Sequence, residues 1–187
     1  QAFDSGSGSV YPEHVANSTV TNVGDPGNQD ENRIGILIQN VNDIQSGVPG
    51  VVVYSTVTNA GVGIATKAFG SNKDFENRNA AHNGATLSYN TVVNAVTRGF
   101  DIDFGFRDSY AGNVATFAPG NHAVGLYVNH SRGNFTGLTI TGAKTGVLVQ
   151  NTTFVNQVYP VISVGSVITG PGTGVAGSVG VLVENSA

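Results

Sequence analysis

The sequence is 187 residues long with a net charge of −4, and only 11% of its residues are charged, against roughly 25% in an ordinary soluble chain. Its 8 Lys and Arg are scattered singly and no apolar run reaches the roughly 20 residues of a spanning helix, which excludes nucleic acid and membrane insertion as expectations. Cysteine and methionine are both absent, so no disulfide or thiolate site exists, and Gln1 reads as the processed end of a secreted or cell-surface chain.

Residues 1–16, rich in Gly and Ser, read as an extended N-terminal arm, and 17–187 as one domain. The first strand signal is Ser18-Thr19-Val20-Thr21-Asn22, whose apolar and polar residues alternate. An oxygen-rich loop, GDPGNQDEN, follows. Its Asp25, Asn28, Asp30 and Glu31 form a calcium candidate, the only cofactor the sequence suggests, although Pro and Gly there equally signal a plain turn.

Next comes Gly35-Ile36-Leu37-Ile38-Gln39. This motif recurs from Gly63, Gly99, Gly125, Gly146 and Gly180, at separations of 28, 36, 26, 21 and 34 residues. The earlier motif also recurs, at Ser55-Thr56-Val57-Thr58-Asn59 and Asn90-Thr91-Val92-Val93-Asn94, with looser echoes from Gly137 and Gly165. Two strands of fixed order, separated by loops of variable length, describe a coil that repeats. Stacked coils place equivalent residues about 4.8 Å apart, so Asn22, Asn59 and Asn94 form a column whose amides donate one way and accept the other.

With these motifs on the page, the chain resembles the right-handed parallel β-helix of the pectin-lyase-like superfamily from about residue 15 to 187. The fold class expected is therefore all-β, a right-handed single-stranded solenoid of about six to seven coils. The superfamily hosts lyases, hydrolases, epimerases, adhesins and tailspikes, so the resemblance speaks for fold and not for activity.

Alternation sends Ile36, Ile38, Ile64, Phe100, Ile102, Leu126, Val128, Val147, Val149, Val181 and Val183 inward, with Thr66 the single polar member. One outward column then reads Leu37, Ala65, Asp101, Tyr127, Leu148, Leu182, and its neighbour Gln39, Lys67, Asp103, Asn129, Gln150, Glu184. The first is too apolar for a solvated face. Either the inserts 68–84 and 152–163 cover it, or Leu37, Tyr127, Leu148 and Leu182 form an assembly surface.

Asp101 and Asp103 point the same way, and with Arg107 and Asp108 form the one patch suited to acid/base work on a sugar, if the chain is an enzyme. The D-D, G-H-G and R-x-K signatures that the resemblance implies for hydrolases are absent. The sequence stops in or just after a core strand without an amphipathic capping helix, which predicts open ends and self-association. The function expected is a secreted structural protein that assembles into a filament, sheath or similar polymer. The alternatives are a polysaccharide-active or polysaccharide-binding domain and an adhesin or tailspike fragment.

Overall fold

The computed structural model describes residues 14–23, 33–39, 50–67, 85–103, 108–131, 133–151, 161–162, 165–170 and 176–185. Among them the chain forms eighteen strands and no helix. The arm 1–13 and the loop holding Asp25, Asn28, Asp30 and Glu31 lie outside the described residues.

The glycine-led hexapeptides make the long strands: β3 (Ile34–Gln39), β6 (Val62–Lys67), β9 (Arg98–Asp103), β12 (Val124–Asn129), β15 (Thr145–Gln150) and β18 (Val179–Glu184). They pair in that order as one sheet. The Thr-Val-Thr motif builds a second sheet from three-residue strands: β2 (Thr19–Thr21), β5 (Thr56–Thr58), β8 (Thr91–Val93), β11 (Val114–Thr116), β14 (Thr139–Thr141) and β17 (Val167–Thr169). A third sheet, which the sequence reading did not separate, holds β1 (His14–Ala16), β4 (Val51–Val53), β7 (Thr86–Ser88), β10 (Asp108–Ala111), β13 (Gly133–Thr136) and β16 (Val161–Ile162). Each sheet takes every third strand, and neighbours run parallel. A chain visiting three sheets in rotation has a parallel β-solenoid-like fold, compatible with a parallel β-helix.

Sharp corners between three-residue strands need a left-handed backbone, which Asn tolerates better than most residues. Asn22, Asn59 and Asn94 hold φ of 55°, 54° and 54°, and the Asn59 amide donates to Asn22 Oδ1 at 3.0 Å. The expected asparagine column thus has two causes, a ladder and a turn. The corner after the third sheet stacks Asn17, Tyr54, Tyr89, Gly112 and Gly137, and the backbone N–H of each of the first four donates to the next turn. Here Tyr54 and Tyr89 are left-handed (φ 51° and 57°) and exposed. Their rings stack at 5.2 Å with 7° between planes, offsetting a backbone cost on the order of 1 kcal/mol.

One residue further, the column Ser18, Ser55, Asn90, Asn113 turns inward. Asn90 Oδ1 accepts from the Ser55 N–H at 3.0 Å, while its amide donates to the Val52 carbonyl at 2.8 Å and to Asn113 Oδ1 at 3.1 Å. Asn113 repeats the device, donating to the Leu87 carbonyl at 2.7 Å. Both are buried, so these bonds satisfy backbone groups that water cannot reach. Thr139 pairs with Val114, so Leu138, not Gly137, stands level with Asn113; the echo motif is displaced by one residue from the expected alignment.

The core runs between the sheets as columns: Val52 and Leu87, then Val57, Val92 and Ile140, then Ile36, Ile64, Phe100 and Leu126, then Ile38, Ile102 and Val128. Thr66 lies within the last column, 4% exposed, and its hydroxyl makes no hydrogen bond among the described residues. Strict alternation would turn the leading glycines outward; instead a Cβ on Gly63 would lie 2.5 Å from Val92 Cγ1 and 2.5 Å from the Gly99 carbonyl oxygen. Only hydrogen fits between this sheet and the second one.

The inward assignment holds for Ile36 to Val149 and fails at the last strand. Val181 and Val183 are 49% and 58% exposed, because no further strand covers β18 among the described residues.

Candidate functional site

The outer face of the long-stranded sheet gathers most of the polar chemistry among the described residues. Register pairs Leu37 with Ala65, Ala65 with Asp101, Asp101 with Tyr127, Tyr127 with Leu148 and Leu148 with Leu182, as the column reading expects. This column is not a continuous exposed face. Ala65 and Asp101 are fully buried, and Leu37, Tyr127, Leu148 and Leu182 are half-buried. Of the inserts 68–84 and 152–163, offered as one of two possible covers, only 161–162 are described, as β16 of the third sheet, and the rest lie outside the described residues. Among the described residues the exposed large apolar side chains are Tyr54, Tyr89, Val167, Val181 and Val183.

Asp101 occupies the centre of this face. Its side chain is 2% exposed, Arg98 Nη1 donates to its Oδ2 at 2.9 Å, and Lys67 Nζ stands 3.8 Å from the same oxygen. A carboxylate this deep is tolerated because two cations hold it. The other oxygen, Oδ1, has no hydrogen-bond partner among the described residues. The guanidinium of Arg98 lies 4.1 Å from the centre of the Tyr127 ring, and the Tyr127 hydroxyl donates to Gln150 Oε1 at 2.9 Å. Alternation predicts the direction of Asp101 but not its burial.

Asp103 lies in the neighbouring polar column beside Lys67 and Asn129. Asn129 donates to Asp103 Oδ1 at 2.8 Å, and Asn151 donates to Asn129 Oδ1 at 2.9 Å. Burial raises the Asp103 carboxyl above the ordinary carboxylate value, opposed by the Asn129 hydrogen bond. The charge of Asp101 raises it further, while Lys67 and His130 lower it. The column ends where Gln150 Nε2 donates to Glu184 Oε2 at 2.6 Å.

The structure therefore brings Asp101 and Asp103 together with Lys67, which the column reading stacks beside Asp103, and with Arg98, which the sequence reading did not attach to them. Asp108 opens β10 in another sheet, and Arg107 lies outside the described residues. A hint existed in the i, i+3 spacing of Arg98 and Asp101. No group of three or more acidic or histidine side chains is placed to hold a metal, and no helix is long and apolar enough to cross a membrane, among the described residues. Comparison of the chain with protein-family models, curated proteins and solved structures finds no match.

Proposed function

We propose that this chain is a secreted structural protein that associates with itself through β18, the strand with one uncovered edge among the described residues. In this reading it is a right-handed, single-stranded parallel β-helix of about six to seven coils, of the pectin-lyase-like type. The observation that carries the reading is a contrast within one column of side chains. Val147 and Val149 are 0% and 5% exposed, whereas Val181 and Val183, directly above them in register, are 49% and 58% exposed. Two core valines left half in water forgo half of the roughly 1.5–3 kcal/mol that full burial of such a side chain contributes, which a covering surface would recover. The charge-poor surface of Asn, Thr, Ser and Gly supports an extracellular setting.

Light scattering over a concentration series tests it. The expected result is a mass above 19.1 kDa that falls to that value on dilution, and in a Val183→Lys variant at every concentration. A parent protein of single-chain mass throughout would end the reading.

A second reading, binding of a polysaccharide at Asp101 and Asp103, is favoured by the spare Oδ1 of Asp101 beside Tyr127 and by the raised pKa of Asp103. Calorimetric titration with neutral and acidic polysaccharides is its test. Binding that Asp103→Asn abolishes would support it, and heats equal to buffer dilution would remove it.

A further inference from the structure

Self-association needs a partner for β18, and the two ends of the long-stranded sheet are not alike. At the β3 end, Ile36 and Ile38 are 6% and 0% exposed; at the β18 end, the corresponding Val181 and Val183 are half in water. Head-to-tail stacking would join an uncovered surface to one already covered. Joining two β18 surfaces covers both uncovered ones at once.

Resting on the self-association proposed above, we infer that the partner is β18 of a second copy, paired antiparallel about a two-fold axis through Leu182. The strand reads Val179-Gly180-Val181-Leu182-Val183-Glu184, and its centre is a palindrome. Antiparallel pairing about Leu182 sets Val181 of each copy opposite Val183 of the other, so each exposed valine meets an exposed valine. Glu184, the one charge on the strand, faces Gly180 of the other copy, so like charges are not opposed. Gly180 has open space around it, with no atom within 4 Å of where a Cβ would stand, whereas Gly146 one strand below is blocked by the Gly180 carbonyl and the Ile168 side chain. The strand carries none of the devices that keep free edges apart: no lysine, no proline, no inward charge.

The same two-fold exchanges the other two sheets, bringing β16 of one copy over β17 of the other, where Ile162 and Ile168 are incompletely buried. A contact of this kind is isologous and closes on itself. It yields a pair of chains, and growth beyond two requires a separate surface.

The chain contains no cysteine, so single cysteines report the geometry cleanly. Residues on a two-fold of an antiparallel pair stand within disulfide reach, with Cα atoms about 4.5–5.5 Å apart. Leu182→Cys should form a covalent dimer under mild oxidation, and Thr116→Cys, on an exposed strand position away from β18, should not. Val181→Cys mixed with Val183→Cys should cross-link more than either alone, which guards against a Leu182 variant that folds poorly. The parent mass measured alongside separates the two ideas. A mass of one chain defeats self-association itself. A mass of two or more chains with no cross-link through Leu182, Val181 or Val183 leaves self-association standing and overturns the two-fold pair.

Discussion

Val183 stands in register on Val149, yet the first is 58% exposed and the second 5%. The two residues are chemically identical and occupy equivalent strand positions. What differs is a neighbouring strand, and this makes burial in a solenoid a property of the stack more than of the residue.

Thr66 tests the core directly. It shares a column with Ile38 and Ile102, and its hydroxyl finds no acceptor among the described residues. Replacing it with valine removes a buried polar group without enlarging the side chain. Thr66→Val should stabilise the protein by about 1 kcal/mol in urea unfolding. A loss of stability would mean that the hydroxyl is satisfied in solution.

Asn90 carries the inward polar ladder. Asn90→Ala strands the Ser55 N–H, the Val52 carbonyl and one bond to Asn113 in a buried site. A loss of about 3 kcal/mol is expected, well above the about 0.5 kcal/mol of an ordinary surface change. Asn94→Ala, at an exposed corner, should cost much less in the same thermal melts.

The glycine column separates middle from end. Gly63→Ala forces a methyl group against Val92 and the Gly99 carbonyl and should cost about 2–3 kcal/mol. Gly180→Ala meets nothing within 4 Å and should leave monomer stability within about 0.5 kcal/mol. Equal losses at both sites would contradict the open β18 edge.

Much of this arrangement was legible before any coordinates. The long strands declared themselves through Gly followed by alternating aliphatics, and the register of Leu37, Ala65 and Asp101 follows from counting. The third sheet was not legible, because strands such as Val51–Val53 are too short to show a period. A signal did exist in the parallel runs Tyr54-Ser55-Thr56-Val57 and Tyr89-Asn90-Thr91-Val92, which place two tyrosines and two inward polar residues in neighbouring columns. Burial of Asp101 was hidden for another reason: alternation gives a direction, while cover comes from groups distant in sequence, Lys67 among them.

Asp103 makes stability depend on pH with a definite sign. Its folded pKa lies above the ordinary 3.8, so the unfolded chain gives up this proton first as pH rises. The stability it contributes is complete below that ordinary value and is lost as pH climbs through the raised folded one. Asp103→Asn keeps an oxygen for the Asn129 amide and removes the titration. The variant should therefore gain on the parent across that window and hold a constant advantage above it, in urea unfolding followed at successive pH values. An advantage independent of pH would show that burial does not raise this carboxyl.

The unshared edge of β18 also sets where the molecule comes apart. An interior strand such as β12 is gripped by β9 below and β15 above, whereas among the described residues β3 and β18 have one partner each, and of these two only β18 leaves its inward side chains, Val181 and Val183, exposed. Unravelling therefore begins at that loose end and travels toward β3 like a zip, with deuterium entering the backbone in the same sequence. A second molecule seated there would act as the zip's stop, slowing exchange along the whole length while touching only its last strand.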